Sequence, residues 1–243
     1  MKTLIISDLH LSHRFAPIKA QYLVDLIGEA NRVIINGDFW DNHATTFSKF
    51  VLSPWKLLFP LLKSRHTIYI YGNHDRQQDS DERVSLFSDT QTNHWQLRDG
   101  ALRLHIEHGH QILAKHQDSP DWVVTLFRVS LYDVWFRQPL ERLLVTNDNK
   151  ILHNWHMGSS QSELIAKAET FEDDLVITGH THLPISDPAH KFVNIGYINH
   201  GLSYYVLVEN GKASFIKEQY LPERQLLAKE NLLNQSKKLN TSR

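Results

Sequence analysis

The chain has 243 residues, a formal net charge of −1 and no cysteine. Disulfide frameworks, cysteine-ligated zinc, iron–sulfur clusters and thiol nucleophiles are therefore excluded. A near-neutral balance also supplies no whole-protein basic field for nucleic acid. The count that stands out is 16 histidines, because imidazole is the commonest transition-metal ligand and the usual proton shuttle.

In chain order, Leu4–Ile6, Val33–Ile35 and Ile68–Tyr71 are short, apolar and rich in β-branched residues, which predicts buried parallel strands. Between the first two, Ile18, Tyr22, Leu23, Leu26, Ile27 and Ala30 recur at helical spacing after Pro17, giving a β-α-β opening. Thr45–Lys63 reads as helix that Pro54 and Pro60 must break into pieces. Leu102–Glu107 and Leu175–Thr178 read as two further strands, with a helix over Ser162–Thr170 between them. Lys191–Ile198, Ser203–Glu209 and Lys212–Glu218 read as antiparallel strands, the last two joined by an Asn210-Gly211 hairpin turn. From about Leu221 the chain turns polar and lysine-rich, as an exposed helix or frayed tail does. The opening MKTLIISDLHLSH lacks the architecture of a signal peptide. The apolar runs also fall short of the ~20 residues that cross a bilayer. A cytoplasmic protein is expected.

One segment stands apart. In Asp121–Val145, apolar side chains such as Trp122, Phe127, Leu131 and Trp135 crowd several faces of a helix. It is either a core helix or an inserted cap whose apolar face meets a hydrophobic ligand, a membrane surface or a second subunit. Arg128, Arg137 and Arg142 lie along it and either meet phosphates or solvate its outer face.

Five predicted strands end in polar motifs: Asp8-Leu9-His10, Gly37-Asp38-Phe39-Trp40-Asp41, Gly72-Asn73-His74-Asp75, His108-Gly109-His110 and Gly179-His180-Thr181-His182. Ligands of open α/β sheets bind beyond the carboxyl ends of the strands, so the five clusters point at one spot. Carboxylate, amide and imidazole together suit borderline-hard divalent ions. Seven such ligands exceed what one ion uses, whereas two ions sharing a carboxylate would use them all. A two-metal site is the usual clamp for in-line displacement at phosphorus. The glycines at 37, 72, 109 and 179 permit sharp turns that aim their neighbours inward. Histidines outside these motifs read as ordinary surface or core residues, although His13 and His43 follow motifs closely enough to line a substrate mouth.

The ordered set resembles the calcineurin-like metallophosphoesterase superfamily, whose motifs are D-x-H, G-D-x-x, G-N-H-[DE], a histidine ending the fourth strand, and G-H-x-H. The resemblance covers roughly residues 1–215. It implies an α/β fold, a four-layer α-β-β-α sandwich with a helical cap insertion. The expected organisation is one domain over 1–220, the cap at about 116–160 and a tail over 221–243. It implies Asp8, His10 and His182 on one metal, Asn73, His108 and His180 on the other, and Asp38 bridging. Manganese leads the implied metals, with iron, zinc, cobalt and nickel behind it. His74 becomes the general acid or phosphate-contacting histidine, oriented by Asp75, and His110 a nearby substrate contact beside Arg128 and Arg137. Asn194-Ile195-Gly196 resembles the late N-x-G signature, near the metals without being a ligand.

The implied activity is phosphoester or pyrophosphate hydrolysis by a metal-bridging hydroxide. The alternatives are a non-catalytic metal-binding scaffold of this fold, or a nuclease on it. A narrower similarity is to the UDP-2,3-diacylglucosamine pyrophosphatases, carried by DLHLS, Gly-Asp-Phe-Trp-Asp and the helical insertion. It implies a lipid-linked pyrophosphate or UDP-sugar substrate, with lipid or inner-membrane-face contact through the cap. A homodimer is expected if the cap's apolar face meets a second copy. The chain departs from that branch at His74, where those enzymes carry arginine, and at His110, where they carry aspartate.

Overall fold

A computed structural model describes residues 1–113, 160–171 and 174–220. The chain opens with β1 (Thr3–Ile6), α1 (Pro17–Gly28), β2 (Arg32–Asn36), α2 (Phe47–Leu52), α3 (Phe59–Ser64), β3 (Ile68–Ile70) and β4 (Thr90–Thr92). It continues with β5 (His94–Asp99), β6 (Leu102–Glu107), a helix over 160–168, β7 (Leu175–Thr178), β8 (Ile185–Asp187) and β9 (Phe192–Asn194). β10 (Ile198–Asn199), β11 (Leu202–Glu209) and β12 (Lys212–Gln219) follow.

Two sheets form. The first runs β10-β11-β1-β2-β3-β4, with β12 also on β11. Its β1 to β4 are parallel, and β11 joins β1 antiparallel with Leu4 opposite Leu207. The second runs β5-β6-β7-β9-β8, with β6, β7 and β9 parallel. Side-chain alternation decides which layer each residue fills. Ile5, Ile34, Ile70, Leu104, Ile106, Ile177 and Val193 pack between the sheets. Leu4, Ile6, Val33 and Ile35 face the other way, onto Leu23, Ile27, Phe50 and Leu58. Leu164 and Ala168 of the 160–168 helix cover Val176 and Phe192 on the second sheet. The result is the α-β-β-α sandwich. Each buried aliphatic side chain contributes about 1.5–3 kcal/mol of transfer free energy.

Most elements fall where the sequence puts them. Thr45–Lys63 is split at its prolines, with α2, a 3₁₀ turn at Pro54–Leu58, and α3 with Pro60 in its first turn. Asn210 and Gly211 both take positive φ, 53° and 73°, as a two-residue hairpin turn requires. One strand is corrected. Lys191–Ile198 is two strands, β9 and β10, because Gly196 at φ 78° turns the chain between them. β5 alternates polar and apolar residues, with Trp95 and Leu97 turned to the core and His94, Gln96 and Arg98 to solvent. The expected cap, Asp121–Val145 with Arg128, Arg137 and Arg142, and the tail over 221–243 lie outside the described residues.

Candidate metal centre

The loops after β1, β2, β3, β6 and β7 meet at one rim. Backbone bonds lace them together: Asp8 N donates to Gly37 O (3.1 Å), His10 N to Asp38 O (2.9 Å) and Gly179 N to His108 O (3.0 Å). Asn36 Nδ2 donates to Glu107 O (3.0 Å), which ties the first sheet to the second directly beneath the site. Asp8, His10, Asp38, His180 and His182 all adopt positive φ, between 46° and 69°. Non-glycine residues pay about 1–3 kcal/mol each for sparsely populated backbone regions, and such strain clusters at functional sites.

Two groups of donors converge there. In the first, the ligand atoms of Asp8, His10, Asp38 and His182 lie within 4.8 Å of one another. His182 Nε2 sits 3.0 Å from His10 Nε2 and 3.0 Å from Asp8 Oδ1. In the second, Asn73 Oδ1 lies 3.1 Å from His108 Nε2 and 2.9 Å from His180 Nδ1. Asp38 Oδ2 stands between them, 3.6 Å from His10 Nε2 and 3.4 Å from His108 Nε2. The structure thus brings together all seven residues expected as ligands, with Asp38 shared.

The surroundings aim these donors. His108 Nδ1 faces Asn36 O at 2.9 Å, which turns Nε2 toward Asp38. His180 N donates to the Asp8 carboxylate (3.2 Å), and His74 N to Asp38 Oδ1 (2.9 Å). Gly72 and Gly179 are glycine for space. A Cβ at Gly72 would stand 2.2 Å from Asp38 Oδ1, and one at Gly179 would stand 2.3 Å from Asp8 Oδ2. Only Gly37 and Gly109 among the four motif glycines use positive φ.

Charge is strongly coupled. Burial works against the His108 imidazolium, but the carboxylates of Asp38 and Asp8 carry its pKa up to about 10. Burial works against the Asp38 anion too, yet His108, His74 and His10 hold it well below the carboxylate range. His10 and His180, desolvated and beside other imidazoles, are lowered to about 3 and remain neutral. Neutral imidazoles, anionic carboxylates and an amide oxygen are the donor set of a borderline-hard divalent cation. A cation at His108 would displace its proton, because an imidazole ligates in its neutral form. The residues fit a metal pair.

His74 Nδ1 lies 3.0 Å from Asp41 Oδ1. The expectation that Asp75 orients His74 is therefore corrected. The Asp75 carboxylate points inward and accepts from Asp38 N (3.0 Å), Phe39 N (2.6 Å), Gly72 N (2.7 Å) and Tyr69 Oη (2.6 Å). Burial and Asp38 push it up to about 7, and four donors on two oxygens oppose that by favouring the anion. Asp75 builds the loops, and Asp41 orients the histidine. The signal for Asp41 is its place three residues after Asp38 in the same motif.

His110 sits at the rim, its ring 5.4 Å from that of His108 and 6.3 Å from that of His180. Burial and the charges of His108 and Arg76 lower it to about 4, so it is neutral. The His43 ring lies 4.2 Å from that of His74. Trp40 is core.

The fold and this rim of aspartates and histidines define a class that the sequence comparison bears out. The model of the calcineurin-like phosphoesterase family matches residues 1–184, and the chain belongs to that family. No curated protein matches the sequence. Among solved structures, the chain is similar to wild-type Vps29 complexed with Zn²⁺ from Entamoeba histolytica, at 16% identity and TM-score 0.46, over 91% of this chain and 100% of that one. It is also similar to Yfce, a phosphoesterase from E. coli, at 17% identity and TM-score 0.45, over 91% and 100%. A third is Vps29 from Chaetomium thermophilum, at 14% identity and TM-score 0.45, over 90% and 95%.

Proposed function

We propose that this protein is a metal-dependent phosphoesterase that uses two divalent cations to hydrolyse a phosphoester or pyrophosphate bond. The observation that carries the reading is Asp38 Oδ2, which stands 3.6 Å from one imidazole donor and 3.4 Å from another in the adjoining donor group. Asp8, His10, Asp38 and His182 would hold one cation, and Asp38, Asn73, His108 and His180 the other. When bound, the pair supplies Lewis acidity at a phosphoryl oxygen and acidifies water.

The chain's own residues supply the rest. Asp41 takes the Nδ1 face of His74, which fixes the tautomer and leaves Nε2 as the proton-transfer atom. His74 then hydrogen-bonds a phosphoryl oxygen or protonates the leaving oxygen. His110, neutral at the rim, contacts substrate as an acceptor or single donor. Manganese is the first metal to test, with iron, zinc, cobalt and nickel after it.

The apolar, arginine-bearing sequence of Asp121–Val145 favours a lipid-linked or UDP-sugar pyrophosphate as substrate. On that reading Arg128 and Arg137 meet phosphate, and the segment contacts lipid at the inner membrane face. Among the described residues no helix is long and apolar enough to cross a membrane. The test is Mn²⁺-dependent hydrolysis of p-nitrophenyl phosphate, its bis ester, cyclic nucleotides and UDP-sugars with and without acyl chains, with Asp38→Ala as control. Turnover confined to acylated UDP-sugars supports the lipid reading. Turnover of simple esters alone supports the phosphoesterase and removes the lipid reading. Metal binding with no turnover on any substrate favours a non-catalytic scaffold.

A further inference from the structure

The helix over 160–168 has an inward face set by Leu164, which is fully buried, and Ala168, which is 3% exposed. Counting back from Leu164 by three residues, the same face reaches Gln161. An apolar side chain is what that position calls for. Instead it carries a glutamine, 8% exposed, with its Nε2 buried and without a hydrogen-bond partner. An orphaned buried donor loses its hydration without gaining a protein partner. Gln161 is a poor choice for stability, and local rules of this kind are broken mainly at functional sites.

Its other terminal atom has a definite task. Gln161 Oε1 accepts from Thr181 Oγ1 (2.6 Å) and from Asn194 Nδ2 (3.1 Å). Asn194 Nδ2 also reaches Thr181 Oγ1 (2.9 Å) and Gly179 O (2.7 Å), and Asn194 Oδ1 accepts from Gly196 N (2.8 Å). Thr181 and Asn194 are fully buried. Thr181 stands between His180 and His182, both left-handed at φ 69° and 54°. Two strained residues flanking one threonine persist only where the surroundings over-determine the backbone. The grip on Thr181 supplies that restraint, and Gln161 is its end on the helix.

We infer that Gln161 is a positioning residue for the histidines at 180 and 182, acting through Thr181 and Asn194 as a hydrogen-bond acceptor. This rests on the metal-holding reading of those histidines. It gives the helix over 160–168 a task beyond covering the second sheet, since its first turn sets the bite of one ligand from each donor group.

The test compares wild type, Gln161→Leu, Thr181→Val, their double variant and Gln161→Glu by Mn²⁺ titration calorimetry, with thermal melts alongside. Gln161→Leu and Thr181→Val are each expected to weaken Mn²⁺ binding by about 10–100-fold, the range for residues that orient metal ligands. The double variant is expected to be no weaker than the worse single, because both cut the same link. Gln161→Glu keeps the acceptor and is expected to bind within a few-fold of wild type. A glutamine that merely stabilises the helix would lower the melting temperature and leave Mn²⁺ affinity unmoved, and that result overturns the inference. Should Gln161→Leu fail to fold, wild-type Mn²⁺ affinity in Thr181→Val overturns it equally. A wild-type protein that binds no Mn²⁺ overturns the metal-holding reading, and this inference with it.

Discussion

Two aspartates that each close a glycine-led motif, Gly37-Asp38-Phe39-Trp40-Asp41 and Gly72-Asn73-His74-Asp75, would look equivalent on paper, yet Asp41 and Asp75 do different jobs. Asp41 Oδ1 meets His74 Nδ1 at 3.0 Å, while Asp75 collects four donors from the loop backbones and Tyr69. Their asparagine variants should therefore fail in different assays. His74→Gln is expected to lower kcat about 10²–10⁴-fold with metal content unchanged. Asp41→Asn should fall in the same direction by about 10²-fold, read by steady-state kinetics with elemental analysis of bound metal. Asp75→Asn places an amide NH₂ against N–H and O–H donors. Orphaning two of them should lower unfolding free energy by roughly 2–6 kcal/mol in urea titrations. If Asp75→Asn unfolds like wild type and loses only kcat, the division of labour is reversed.

At the scale of elements, the turn and the first helix each make a measurable claim. Gly211 has φ 73° and only the Asp99 carbonyl oxygen, at 3.5 Å, near the position of a Cβ. Gly211→Ala thus tests backbone conformation with little steric interference. It should destabilise by about 1–2 kcal/mol, the penalty of a left-handed non-glycine residue. In α1, Lys19 is buried and donates from Nζ to Leu9 O (2.7 Å), bracing the loop that carries Asp8 and His10. Burial lowers its pKa from 10.5 to about 7. Between those values the unfolded chain holds a proton that the folded chain lacks. Stability should therefore rise with pH across that window, by at most ~1.4 kcal/mol per unit, and stay level below it. Lys19→Met should flatten that slope in urea melts taken at several pH values. Parallel curves for variant and wild type would mean that the amine titrates normally.

For the whole molecule, the site is a seam. Asp8, His10, Asp38 and Asn73 come from loops of the first sheet, and His108, His180 and His182 from loops of the second. A cation held by both sets binds the native state and has no comparable site in the unfolded chain. Mn²⁺ at about 100 times its dissociation constant should then stabilise by ~2.7 kcal/mol, roughly 5–10 °C in melting temperature for a chain of this length. EDTA should reverse the shift, and Asp38→Ala should abolish it. A melting temperature indifferent to Mn²⁺ and EDTA would mean that the seam holds no ion.

The sequence by itself determined the donor types at the rim, their order and the strands that carry them. Each expected ligand lies within a few residues of the end of an apolar strand, and both signals are local. It also marked the breaks at Pro54 and Pro60 and the Asn210-Gly211 turn, because proline and left-handed glycine act within a few residues. Only the tertiary structure decided what depends on direction and distance. Asp75 follows His74 immediately, yet its carboxylate turns into the fold, while Asp41, 33 residues earlier, reaches the imidazole. Gln161 had no periodicity or motif to mark it, since its partners Thr181 and Asn194 lie 20 and 33 residues away. Gly72 and Gly179 looked like turn glycines and prove to be gaps reserved for Asp38 and Asp8. Composition and spacing report what a residue can do. Packing two sheets rim to rim fixes which partner it meets.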